Sequence, residues 1–128
     1  MSEGGKTLVH LVDDDESIRR SVGFALRTSG YEVRTYENGA EILKIASSLE
    51  TGCILLDVRM PGMNGLEVQA ALKEKGVTLP IVLMTGHGDV ALAVRALEAG
   101  AIDFIEKPFE KALLLSAIEH GMERLKQS

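Results

Sequence analysis

Five short apolar runs, each followed by residues at helical spacing, constrain this chain more than any other feature. The spacing predicts strands over Leu8–Val12, Glu32–Tyr36, Cys53–Leu56, Ile81–Met84 and Ile102–Glu106. The first helix carries Ile18, Val22 and Leu26 on one face and stops at Gly30. Asn38 opens a second, with Ile42, Ile45, Ala46 and Leu49 facing inward, and the third covers Leu66–Lys75. In the fourth, Asp89 is the cap, Val90, Ala93, Val94 and Leu97 face inward, and Gly100 closes the helix. The last carries Leu114, Ala117, Ile118, Met122 and Leu125. A fivefold strand–helix alternation implies a parallel sheet with right-handed crossovers and helices on both faces. The fold class is therefore α/β, a doubly wound five-stranded parallel sheet. Runs one, three and four are apolar throughout, as strands covered on both faces must be.

Composition narrows the class further. The chain has 128 residues, 45% apolar and 26% charged, which suits one globular unit over 1–128 with its core at about 7–125. A single cysteine forms no disulfide framework. No apolar run approaches the roughly 20 residues of a membrane span, and the opening MSEGGKT lacks a secretory h-region. A cytoplasmic chain that does not enter a membrane is the expectation. Lys and Arg number 14 against 19 Asp and Glu, a net charge of −5, which argues against direct nucleic-acid binding.

In doubly wound sheets ligands bind beyond the carboxyl ends of the strands. At those ends the sequence places Asp13 and Asp14 after strand one, Asp57 after strand three, Thr85 after strand four and Lys107 after strand five. Three carboxylates meeting there repel one another, and a divalent cation with oxygen ligands relieves that repulsion; Mg²⁺ suits one or two carboxylates plus waters and phosphate oxygens. A carboxylate can also serve as a nucleophile that takes up a phosphoryl group.

The segments VDDDES (Val12–Ser17), LLDVRMPGMNG (Leu55–Gly65), MTGHGD (Met84–Asp89) and DFIEKPF (Asp103–Phe109) carry a resemblance over essentially the whole chain. The sequence resembles the receiver domain of two-component response regulators. Its MTGHGD and FIEKPF wording is most similar to the FixJ branch, with NtrC- and DctD-type receivers close behind. The resemblance implies the flavodoxin-like (βα)5 receiver fold with strand order 2-1-3-4-5. It implies Asp57 as phosphoacceptor, served by a sensor histidine kinase or phosphotransfer protein. Asp14, Asp57 and the Arg59 backbone carbonyl would ligate Mg²⁺, with Asp13 acting indirectly. Lys107 would pair with a phosphate oxygen, and Thr85 would bring its hydroxyl to the phosphoryl group. Phe104 would be the switch aromatic, where many relatives have Tyr. Gly86 would keep the phosphate approachable, the Lys107–Pro108 bond would be cis, and Arg59 and His87 would tune dephosphorylation. Homodimerisation or partner docking through helix four, strand five and helix five is the implied consequence of phosphorylation. Such a module is a switch with self-catalysed phosphotransfer and autodephosphorylation, not a turnover enzyme.

Simpler readings stand beside these. Asp13 and Asp14 could be acids favoured at a helix N-terminus, and Asp15 offers a third acid whose use would shift the metal pair by one residue. Phe104 could serve core packing alone, His10 a structural role and Cys53 an inert buried thiol. Asp13-x-Asp15 after strand one also resembles the nucleophile motif of Mg²⁺-dependent phosphohydrolases of the haloacid dehalogenase type. That alternative needs a late acidic pair, where this chain has Thr85 and Lys107. A flavin carrier of the same architecture is disfavoured, because the acidic first loop repels a phosphate.

Overall fold

A computed structural model describes residues 7–86 and 88–127. The elements run β1 (Leu8–Val12), α1 (Glu16–Thr28), β2 (Glu32–Tyr36), α2 (Gly39–Lys44), β3 (Cys53–Asp57), α3 (Gly65–Glu74), β4 (Ile81–Thr85), α4 (Val90–Glu98), β5 (Asp103–Glu106) and α5 (Lys111–Lys126), with a 3₁₀ turn at Ala46–Ser48. All strand pairs are parallel, in the order β2-β1-β3-β4-β5. This is the doubly wound α/β sheet that the alternation predicts. No helix among the described residues is long and apolar enough to cross a membrane.

Alternation along the strands divides the core in two. Val9, Leu11, Cys53, Leu55, Val82, Met84 and Ile105 pack with α1 and α5. Val12, Tyr36, Ile54, Leu56, Leu83 and the half-buried Phe104 pack with α2, α3 and α4. The central strands β1, β3 and β4 are buried along their length, which is why they read as apolar runs, broken before their ends only by His10 in β1.

Two helical expectations are corrected. The second helix ends at Lys44, and Ile45, expected to face inward, is exposed. The Ile45 carbonyl accepts from the Ser48 backbone N–H and hydroxyl, so the chain tightens into the 3₁₀ turn. Ile42 and Ala46 are buried as expected. In α4 the buried residues are Ala93 and Ala96, while Val90 and Val94 are 37% and 42% exposed. Small residues face the sheet here because α4 lies close to α3; Gln69 Nε2 donates to the Ala96 carbonyl at 3.1 Å.

His10 is fully buried in β1. Its Nε2 donates to the Glu50 carbonyl at 2.8 Å and its Nδ1 accepts from the Tyr36 hydroxyl at 2.8 Å, a structural role as expected. Burial pushes its pKa below the ordinary histidine value, so the neutral ring is the folded form.

The α5 helix approaches the sheet through Gly121. A Cβ there would lie 2.5 Å from Cys53 Sγ. The buried thiol has its pKa pushed up to about 12 by desolvation and is inert. Gly121→Ala should cost about 1–3 kcal/mol by overpacking. Adding Cys53→Ala should recover part of that loss, giving a positive coupling in a double-mutant cycle measured by chemical denaturation.

Candidate functional site at the carboxyl edge of the sheet

The register brings the polar strand ends together. Val12 lies beside Leu56, Asp57 beside Met84 and Thr85 beside Glu106. The ladders continue past the strands: Asp13 N–H donates to Tyr36 O at 3.1 Å, Val58 N–H to Met84 O at 2.9 Å and Lys107 N–H to Thr85 O at 2.7 Å. Each polar residue is thus held by backbone bonds at one sheet edge. Alternation directs Asp13, Asp57 and Lys107 to the α1/α5 side, with Leu11, Leu55 and Ile105. Thr85 falls on the opposite side, with Leu83 and Phe104.

Carboxylate oxygens of Asp13, Asp14 and Asp57 lie within 4.8 Å of one another. Asp13 is fully buried and Asp57 is 5% exposed, while Asp14 is exposed. Lys107 Nζ lies 3.0 Å from Asp13 Oδ2 and 3.2 Å from Asp57 Oδ1, bridging the two buried acids. The other Asp13 oxygen accepts from the Asp15 N–H at 2.9 Å. Among the described residues, the Asp14 carboxylate accepts no hydrogen bond. Asp15 is not one of the three clustered acids; it caps α1 by accepting from the Ser17 N–H.

Burial, then the neighbouring Asp13 charge, raise the Asp57 pKa to about 6 even against the attraction of Lys107. For Lys107, burial opposes the charged form, but Asp13 and Asp57 outweigh it and its pKa is raised. At pH 7 the site therefore holds a mostly ionised Asp57 and a charged Lys107. The Thr85 hydroxyl is buried and its contact is local, to the Gly86 carbonyl at 3.4 Å. A cleft of about 450 Å³, lined by Ile18, Val22, Gly86, Lys107 and Phe109 among others, opens beside Lys107. A larger cleft, lined by Thr7, Tyr31 and Glu119 among others, lies at the amino ends of β1 and β2.

Sequence reasoning missed three features. Asp89 sits at the α4 N-cap position but makes no side-chain cap bond. Its carboxylate pairs instead with the exposed Arg59 guanidinium, because a charged two-pronged partner outcompetes neutral amides. Gly65 is more than a turn residue. A Cβ there would lie 2.7 Å from the Asp57 carbonyl oxygen, so only glycine lets α3 start against the end of β3. The third is Arg19, whose guanidinium Nη1 donates to the Asp13 carbonyl at 2.8 Å. His87 lies outside the described residues. The Lys107–Pro108 peptide is cis, as expected.

The response regulator receiver domain model matches residues 9–119. The chain belongs to the response regulator receiver family. It is 44% identical over 116 residues to the transcriptional regulatory protein FixJ of Azorhizobium caulinodans, covering 91% of this chain and 55% of that one. To FixJ of Rhizobium meliloti it is 42% identical over 117 residues, covering 91% and 57%. The chain thus spans a little over half the length of these relatives. Among solved structures, FixJ-N superposes with a TM-score of 0.88 at 40% identity, covering 93% of this chain and 95% of that one. The receiver is FixJ-like and its sheet order is that of the flavodoxin-like receiver fold. The haloacid dehalogenase reading finds no support: the match is to the receiver model, and β4 and β5 deliver Thr85 and Lys107 to the edge.

The raised Asp57 pKa makes a prediction for stability in metal-free buffer. The folded state holds this proton more tightly than the unfolded chain, whose aspartate value is 3.8. Stability therefore falls as pH rises from about 4 to about 6, and the penalty is complete above that window. Asp57→Asn should stabilise the metal-free receiver by up to roughly 3 kcal/mol at pH 7.5, the shift from 3.8 to about 6 taken at about 1.36 kcal/mol per unit. The gain should vanish below about pH 4. Thermal melts of both proteins across pH check this.

Proposed function

We propose that this receiver accepts a phosphoryl group on Asp57 from the phosphohistidine of a sensor histidine kinase or phosphotransfer protein. The observation that carries the reading is the Lys107 ammonium held within 3.2 Å of a nearly buried Asp57, beside two further carboxylates. A carboxylate ionised at pH 7 attacks without a general base. The new P–O bond to Asp57 forms as the donor P–N bond breaks, and the electron pair leaves with the donor imidazole. Lys107 neutralises charge on the transferred phosphoryl oxygens. The Thr85 hydroxyl, which makes only a local contact, is available to donate to one of them.

The donor set fits Mg²⁺: three carboxylates from two chain segments, all hard oxygen ligands. Asp14 and Asp57 would hold it, with the Arg59 carbonyl as third protein ligand. Asp13, whose two oxygens already accept from Asp15 and Lys107, would support it indirectly. A bound Mg²⁺ supplies positive charge against the carboxylates and the phosphoryl oxygens.

The output runs through the far side of the sheet. Thr85 and Phe104 share that face, and Phe104 is only half-buried. Movement of Thr85 toward the phosphoryl group frees space for Phe104 to turn inward. The adjoining surface of α4, β5 and α5 presents the exposed Val90 and Val94, and phosphorylation-dependent homodimerisation there is the proposed consequence. Residues 1–128 then form a single cytoplasmic receiver domain with its core at about 7–125. It works as a phosphoacceptor switch, with phosphotransfer and autodephosphorylation as its own chemistry. The FixJ relatives, named as transcriptional regulators, suggest transcription control as the output.

Incubation with acetyl phosphate and Mg²⁺ should label the wild-type chain, as read by intact mass. Asp57→Asn should reduce labelling to background. Lys107→Met should slow it on the order of 10²-fold, the usual cost of one charge-stabilising group. Undiminished labelling of Asp57→Asn overturns the assignment.

A further inference from the structure

We infer that Arg19, outside the acidic cluster, is the positioning residue that aims the Asp14 carboxylate at the cation site. The inference rests on the Mg²⁺ reading above and extends it to a residue on α1.

The peptide unit joining Asp13 to Asp14 leaves the sheet at the end of β1 and has no further strand to pair with. The Asp13 N–H still bonds Tyr36 O of β2 at 3.1 Å, the last rung of the ladder. The Asp13 carbonyl is taken by Arg19 Nη1 at 2.8 Å, reaching back from the first turn of α1. The Arg19 side chain is only 16% exposed, and its Nη2 lies 4.0 Å from Glu37 Oε2 across the β2–α2 loop. That exposed glutamate is a weak second partner, and the Asp13 carbonyl is the hydrogen-bond acceptor of the guanidinium.

The consequence for Asp14 follows from backbone geometry. A peptide unit is planar, so a held Asp13 carbonyl sets the direction of the Asp14 N–Cα bond and, through it, narrows the orientation of its Cα–Cβ bond. Asp13 and Asp57 are also oriented by Lys107 through their side chains. Asp14 is exposed, and its carboxylate accepts no hydrogen bond among the described residues. Its aim depends on the backbone on either side of it: the Asp13 carboxylate holds the following peptide through the Asp15 N–H, and Arg19 holds the preceding one through the Asp13 carbonyl. Second-layer groups that orient a ligand typically change metal affinity 10–100-fold when removed.

Two explanations of Arg19 predict opposite signs. If it matters only as a positive charge near three acids, its removal makes the site more negative and Mg²⁺ binds more tightly. If it positions Asp14, its removal weakens binding. The chain has no tryptophan, so Mg²⁺ alone is titrated into ¹⁵N-labelled protein and followed by amide shifts, which report fold and affinity together. Arg19→Met should raise the Mg²⁺ Kd about tenfold. Arg19→Lys, which restores a charged donor without the planar fork, should return it to within roughly threefold of wild type. Arg20→Met removes a charge from an exposed neighbour on the same helix and should leave the Kd within about twofold. Should Arg19→Met not fold, Arg19→Gln, neutral and shorter, should show the same weakening. An unchanged or tighter Kd in folded Arg19→Met or Arg19→Gln, with wild type binding normally, overturns the role of Arg19 alone. Absence of Mg²⁺ binding by the wild-type chain overturns the cation reading itself, and this inference with it.

Discussion

The Lys107 ammonium lodged between Asp13 and Asp57 is the interaction on which the site depends. Two nearly buried carboxylates beside a third would otherwise drive one another toward protonation. Lys107 offsets that repulsion in part, yet burial and the Asp13 charge still lift the Asp57 pKa to about 6. The result is a carboxylate that is ionised near neutrality and under-stabilised in its ionised form. Such a group gains from any added positive charge, which is the electrostatic basis for reading the cluster as a cation and phosphoryl site.

Holding those charges together is the work of the sheet. Asp13, Asp57 and Lys107 come from three strands, and each is pinned by a backbone bond at or just past its strand end. Both faces of the sheet are covered, so the strand ends cannot shift without disturbing two apolar cores. The same alternation separates tasks: the acids and the lysine lie on the α1/α5 side, and Thr85 with Phe104 lies on the α2–α4 side. On that second side α4 exposes Val90 and Val94. Arg59, paired with Asp89, also ties the β3–α3 loop to the start of α4.

Much of this was legible in the residues, and the failures share a cause. Strand positions were readable because β1, β3 and β4 are buried on both faces and, the hydrogen-bonded His10 apart, admit only apolar residues until the edge. The polar residue ending each run was therefore conspicuous, and Asp13, Asp14, Asp57, Thr85 and Lys107 were all identifiable before any coordinates. Periodicity was less reliable in short helices. After α2, Ser48 closes on the Ile45 carbonyl through its N–H and hydroxyl, and the chain tightens into a 3₁₀ turn. In α4 close approach to α3 selected alanines over valines for the buried face. Asp89 read as a cap because nothing local announces that Arg59, thirty positions earlier, takes its carboxylate.

The sequence by itself determined the alternation of strands and helices, the two-sided burial and the identity of the charged groups at the carboxyl edge. Those follow from local rules: apolar period, turn residues and the cost of burying an unpaired charge. Only the tertiary structure decided that Lys107 bridges Asp13 and Asp57, that Asp15 caps α1 and that Arg19 grips the Asp13 carbonyl. Each depends on distances between groups on different segments or on the local path of the chain. Coulombic and hydrogen-bond energies vary too steeply with those distances for residue order alone to fix them.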